Sequence, residues 1–175
     1  ISIIYKSKKI TNNLIPTAGP SISQKEIVYV NDAVTNGWNN QASNYINKLE
    51  RSFAKYLGCK YAISTSSCTG AMQIALMSLG IKKGDEVIVP NVTWVATAKA
   101  ITYVGAKPVF ADINLEDWTI NPNSIEKFIS KKTKAIMPVH LYGHPSQMDK
   151  IMNIAKKHKL HVVEDAAPAI GAEFK

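Results

Sequence analysis

The chain reads as an α/β protein with a mostly parallel β-sheet covered by helices. Three observations predict it. Short apolar runs alternate along the 175 residues with segments whose apolar side chains recur at helical spacing. Runs such as Glu86 to Val89 are apolar almost throughout, as strands buried on both faces are. Hydrophobic residues make up 46%, enough for a core, and no apolar run approaches membrane-spanning length.

The elements follow in order. Residues 1–23 are expected to form an irregular arm, because Pro16, Gly19 and Pro20 prevent regular structure. Their lysine-rich start lacks the apolar core and cleavage pattern of a signal peptide. Residues 24–36 place Ile27, Val30 and Val34 on one helical face, and Gly37 ends it. Residues 43–57 carry Ile46, Leu49, Phe53 and Leu57 at helical spacing, with Gly58 as the stop. Between these helices, residues 37–45 form a polar loop with two aromatics, read either as a recognition segment or as a surface turn anchored by Trp38.

Tyr61 to Thr65 reads as a short strand. Met72, Ala75, Leu76 and Leu79 give the next helix face, closed by Gly80. Glu86 to Val89 is a strand ended by Pro90, residues 93–104 are helical, and Lys107 to Ala111 is a strand. Asn121-Pro122 opens a short helix in cap-then-proline order, with Ile125, Phe128 and Ile129 expected inward. Lys134 to Val139 is a strand. Ser146 and Asp149 have capping-box spacing before a helix with Met148, Ile151, Met152 and Ala155 on its apolar face. His161 to Glu164 is the fifth strand.

The net charge is +8. Many lysines fall at predicted helix ends, where cations suit the helix dipole, so solvated faces account for most of the excess. Arginine-aromatic interleaving of the kind that binds single-stranded nucleic acid is absent, and no nucleic-acid partner is expected. Cys59 and Cys68 have no metal-ligand spacing, and no metal is expected. Two cysteines without a secretion signal fit a reducing cytoplasm. A chain without an initiator Met that stops just after a strand-loop motif is expected to be a piece of a longer protein.

Four strand ends carry chemistry. Ser64 to Gly70, between a strand and a helix, supplies hydroxyls and free backbone N–H groups at a helix N-terminus. It is either an anion site or a plain helix cap, and it is not a P-loop. Trp94, after the Glu86–Val89 strand, is either a plate for a planar ring or a core anchor. His140, Tyr142 and His144 lie in a polar loop after the next strand. Asp165, in Val-Val-Glu-Asp-Ala-Ala-Pro at 162–168, ends the last strand as a site acid or a helix cap. In a parallel sheet these ends converge where ligands of open α/β sheets bind. An aromatic plate, an acid and a phosphate anchor together describe pyridoxal phosphate. The acid would keep the pyridine nitrogen protonated and the ring an electron sink.

From about Ile15 onward the chain resembles the DegT/StrS sugar aminotransferases, which have the aspartate-aminotransferase fold. The resemblance lies in "GDEVIVPNVTWVATAKAI", "KPVFADIN", "TKAIMPVHLYGHPSQM" and "VVEDAAPAIGAEFK", in this order. Within the family the wording is nearest to perosamine-synthase-like enzymes, which aminate a nucleotide-linked 4-keto-6-deoxyhexose. The resemblance implies that residues 24–175 are the N-terminal part of the pyridoxal-phosphate-binding large domain of fold type I, incomplete in this chain. It implies that Ser67, Cys68 and Thr69 hold the cofactor phosphate, that Trp94 stacks on the ring, and that Asp165 pairs with the ring nitrogen as the catalytic acid. Pro168 would lie near the cofactor's phenolic oxygen. Asn40, Tyr45, His140 and Tyr142 are the candidate substrate contacts.

Three positions depart from the family pattern. Cys68 and Ser43 stand where glycine is common, and Pro168 where Gln or Glu is common. The lysine of the internal Schiff base lies beyond Lys175 in the family; Lys175 itself matches a surface turn. The resemblance further implies an amino donor, glutamate, a nucleotide-sugar substrate and a homodimer. Two other readings stay open: the dehydratase branch of the family, with histidine at the Schiff-base position, and a non-catalytic doubly wound module that binds a phosphorylated ligand.

Overall fold

The computed structural model describes residues 21–174. The expected arm therefore lies almost wholly outside the described residues. The chain divides into two compact units, one up to Ala62 and one from Ile63.

The first unit holds two helices. Helix α1 (Gln24–Asn36) starts on a capping box: the Ser23 hydroxyl accepts the N–H of Lys25, and the Glu26 carboxylate accepts the N–H of Ser23. Helix α2 (Asn44–Leu57) stops at Gly58, whose φ of +65° is the left-handed conformation that glycine adopts without steric cost. The spacing of Ile27, Val30, Val34, Ile46 and Leu49 is helical as expected, yet all five are exposed. Between the helices, a 3₁₀ turn (Asn39–Gln41) follows Trp38, whose indole N–H donates to the Val34 carbonyl at 2.7 Å.

The expected strand at Tyr61 to Thr65 is not formed. A strand needs a neighbour for its N–H and C=O groups. No described strand pairs with it, and Tyr61 and Ile63 are exposed.

The second unit is the α/β layer structure. In order it contains α3 (Cys68–Ser78), β1 (Glu86–Pro90), α4 (Val95–Tyr103), β2 (Lys107–Ala111), α5 (Pro122–Ile125), β3 (Thr133–Ile136), α6 (Met148–His158) and β4 (His161–Val162). The strands form one parallel sheet in the order β2-β1-β3-β4. Successive side chains on a strand point to opposite faces, and this alternation builds two cores from one sheet. Val87, Val89, Ala135 and Met137 pack with Met72 and Leu76 of α3 and Ala100 and Ile101 of α4. Ile88 and Ile136 pack on the other face with Ile125 of α5 and Ile151 and Ala155 of α6. Pro108 sits in β2, which among the described strands has only β1 beside it, where a missing N–H costs no ladder bond.

Several boundaries differ from the expectations. The chain after α5 tightens into a 3₁₀ turn (Glu126–Phe128), and Phe128 turns outward while Ile125 stays buried. Met152 is exposed on α6. The Ser146 capping box does not form. Gln147 precedes α6, and the buried Ser146 hydroxyl instead donates to the Val139 carbonyl at 3.0 Å. β3 and β4 are shorter than the apolar runs, but their pairing resumes as a parallel bridge between Val139 and Asp165.

Candidate functional site

Asp165 is held at the end of the sheet by two backbone bonds to the neighbouring 138–140 segment. Its N–H donates to the Pro138 carbonyl at 2.9 Å, and its carbonyl accepts the N–H of His140 at 3.1 Å. The residue is 5% exposed. Carboxylate Oδ2 accepts the Thr97 hydroxyl at 2.7 Å. Oδ1 accepts the N–H of Ala167 at 3.3 Å and faces the Cys68 thiol at 3.7 Å. Cys68 opens α3 and Thr97 lies in the first turn of α4, so two helix N-termini, positive in potential, meet at this acid. Partial burial and then the Asp165 charge push the Cys68 thiol up, which keeps it protonated and donating. Among the described residues no lysine, arginine or histidine pairs with Asp165. Buried carboxylates ordinarily have a cationic partner.

Asp165 lines a cavity of about 460 Å³ with mostly apolar walls. Cys68, Trp94, Tyr142 and Pro168 line the same cavity, so five of the residues singled out in the sequence come together here. Trp94 immediately precedes α4 and is 78% exposed, so it is not a core anchor. Trp118 also lines the cavity and was not foreseen; its sequence signal is an aromatic in the loop that follows β2. Trp118 and Tyr142 have φ of +59° and +51°, conformations that cost a non-glycine residue on the order of 1 kcal/mol. Asp117 stabilises the Trp118 turn by accepting the N–H and hydroxyl of Thr119 at 2.9 and 2.8 Å. Burial opposes ionisation of Asp117, but the Thr119 bonds outweigh it and hold its carboxyl low.

Thr97 is the other unforeseen residue. Fully buried, it does not line the cavity but touches the acid that does.

His140 is nearly buried and engaged at both ring nitrogens. Nδ1 accepts the N–H of Ser146 at 3.1 Å, which assigns the ring proton to Nε2, 2.9 Å from Glu164 Oε2. This hydrogen bond holds the Glu164 carboxyl below the usual range. His140 thus braces the 139–146 loop against the strand end that carries Asp165, and it does not line the cavity. Ser67 caps α3: its hydroxyl accepts the N–H of Gly70 at 3.1 Å and its carbonyl that of Ala71. The N–H groups of Cys68 and Thr69 are the remaining donors of that first turn.

Asn40 and Tyr45 belong to the first unit. Asn40 is exposed in the Asn39–Gln41 turn. Tyr45 lines a polar cleft of about 360 Å³ with Asp32, Asn36 and Lys48. Its hydroxyl donates to Asp32 Oδ2 at 2.6 Å and is the main reason that acid is held low. Among the described residues no cluster of His, Cys, Asp and Glu is placed to hold a metal ion, and no helix is long and apolar enough to cross a membrane.

Comparison with known proteins matches residues 20–175 to the DegT/DnrJ/EryC1/StrS aminotransferase family. The chain is 46% identical over 161 residues to a GDP-perosamine synthase of Escherichia coli O157:H7, covering 92% of this chain and 44% of the relative. It superposes with a TM-score of 0.84 and 40% identity on an aminotransferase from Psychrobacter cryohalolentis, over 89% of this chain and 40% of that one. It also resembles NtdA of Bacillus subtilis with bound cofactor PMP, at 38% identity and a TM-score of 0.78, over 86% of this chain and 35% of that one. The chain spans less than half the length of the curated relatives it matches. With its motifs in family order and its parallel sheet superposing on these structures, the chain belongs to the DegT/DnrJ/EryC1/StrS aminotransferase family.

Proposed function

We propose that this chain carries the cofactor pocket of a pyridoxal-phosphate-dependent aminotransferase that aminates a nucleotide-linked keto-deoxysugar. The observation that carries the reading is Asp165, a buried carboxylate with hydroxyl and N–H donors but no cationic partner among the described residues, lining an apolar cavity beside an exposed tryptophan. A protonated pyridine is a flat cation that fits this setting. Asp165 would hold the proton on the ring nitrogen by charge and hydrogen bonding. Trp94 would lie against one face of the ring. The Cys68 and Thr69 N–H groups and the Thr69 hydroxyl would hold the phosphate at the N-terminus of α3, with Ser67 fixing that turn. Pro168, next to the cavity, can pack but cannot hydrogen-bond through its side chain.

When bound, the cofactor supplies the electron sink through which an amino group passes from donor to keto-sugar. The names of the relatives support a sugar substrate, since a GDP-perosamine synthase and a UDP-4-amino-4-deoxy-L-arabinose–oxoglutarate aminotransferase are among them. Glutamate as donor, a homodimer and a cytoplasmic location belong to the same proposal. Tyr142, which lines the cavity, and His140, which braces its loop, would stand on the sugar side. Asn40 and Tyr45 would meet substrate in the assembled dimer.

The test is the visible absorbance of the purified full-length protein. A cofactor band that changes on adding glutamate and returns on adding a nucleotide-linked keto-deoxysugar supports the proposal. A protein that binds phosphorylated ligands but never shows such a band is a binding module instead.

A further inference from the structure

Among the described residues, Thr97 is the one side-chain hydroxyl that meets Asp165, and it does so from a fully buried position. A hydroxyl has one proton to give. Because Thr97 gives it to Oδ2 at 2.7 Å, the contact between Thr97 and Thr93 at 3.1 Å has Thr93 as donor and Thr97 as acceptor. The two threonines are four residues apart at the start of α4, so they form a short relay: Thr93 to Thr97 to Asp165. Thr93 lines the cavity and Thr97 does not. Oδ1, in contrast, meets Cys68, which lines the cavity. Oδ1 also accepts the N–H of Ala167, another residue of the cavity lining, so Oδ2 is tied to the buried Thr97 while Oδ1 lies on the cavity side.

From this arrangement we infer that Thr97, backed by Thr93, is a positioning residue that locks the Asp165 carboxylate so that one oxygen stays turned to the cofactor ring nitrogen. The inference rests on the reading of Asp165 given above. A carboxylate fixed at Oδ2 by a short charge-assisted hydrogen bond cannot swing about its own axis. Without that donor the buried oxygen is left unpaired, and the carboxylate draws the shared proton away from the pyridine.

The experiment compares Thr97→Val, Thr97→Ser, Thr93→Val and Asp165→Asn in the full-length protein loaded with cofactor labelled with ¹⁵N in its ring. Three quantities are read: the ring-nitrogen chemical shift, the cofactor dissociation constant and the circular dichroism of the fold. Valine keeps the shape of threonine and removes the donor. Thr97→Val is expected to move the nitrogen signal toward unprotonated pyridine and to weaken cofactor binding by roughly tenfold, as for a lost hydrogen bond to a charged group. Thr97→Ser should restore both, and Thr93→Val should shift both in the same direction by less. If Thr97→Val does not fold, the serine and Thr93→Val proteins carry the test through the same signal. An unmoved nitrogen signal in Thr97→Val and Thr93→Val, with a moved one in Asp165→Asn, overturns the role of Thr97 and leaves that of Asp165 standing. Weak binding that serine does not restore shows that Thr97 only fills space, and it also overturns the inference. An unmoved signal in Asp165→Asn overturns the reading of Asp165, and the role of Thr97 falls with it.

Discussion

Trp94 leaves 78% of its surface open, although a ring of that size stabilises a protein mainly by being buried. The proposed cofactor ring would supply the missing cover. Trp94→Ala is therefore expected to weaken cofactor retention by about 1–3 kcal/mol without disturbing the fold. Equal retention in both proteins on dialysis would leave Trp94 as a surface ring. At this scale the sequence made the strand-end residues legible. Asp165 stands after Val162 and Val163, and Trp94 after a run ended by Pro90, so their places at one sheet edge follow from pattern alone. Thr97 was not legible, because a helical hydroxyl shows which acid it meets only once two elements are docked. Nor was the engagement of His140, whose partners Ser146 and Glu164 lie 6 and 24 residues away.

The strands and helices of the second unit were legible because each agrees with a strong period: continuous apolar runs for β1 and β3, and the 3.6-residue spacing for α3 and α6. The failures have a common cause, dependence on tertiary partners that local pattern does not show. Residues 61–65 have strand composition, but no described strand pairs with them. Ser146 has capping spacing, but a buried carbonyl, that of Val139, takes its hydroxyl. The two-sided core gives a prediction at this scale. Ile88 is the β1 residue that faces α5 and α6, fully buried among Ile120, Ile125, Ile136 and Ile151. Ile88→Ala should cost about 2–5 kcal/mol in denaturant unfolding, the range for emptying a tightly packed site. A cost below about 1 kcal/mol would mean that this face is loosely packed and that the sheet is not covered on both sides.

For the whole molecule, the parallel sheet brings the ends of β1, β3 and β4 and the starts of α3 and α4 to one edge, where ligands of open α/β sheets bind. The first unit leaves the apolar residues of α1 and α2 exposed. Exposed apolar helix faces of this kind favour the proposed homodimer, and obligate interfaces are more apolar than transient ones. Sedimentation of the full-length protein should show a dimer that persists on dilution; a fully active monomer at nanomolar concentration would contradict it. The proposed function turns on Asp165 holding the cofactor's ring nitrogen. Its most direct measurement is the rate at which glutamate changes the cofactor absorbance in the wild-type protein and in Asp165→Asn. A neutral amide stabilises a protonated pyridine poorly, so the account predicts a rate lower by on the order of a hundredfold or more, with the fold retained. A rate near that of the wild type in Asp165→Asn would contradict it.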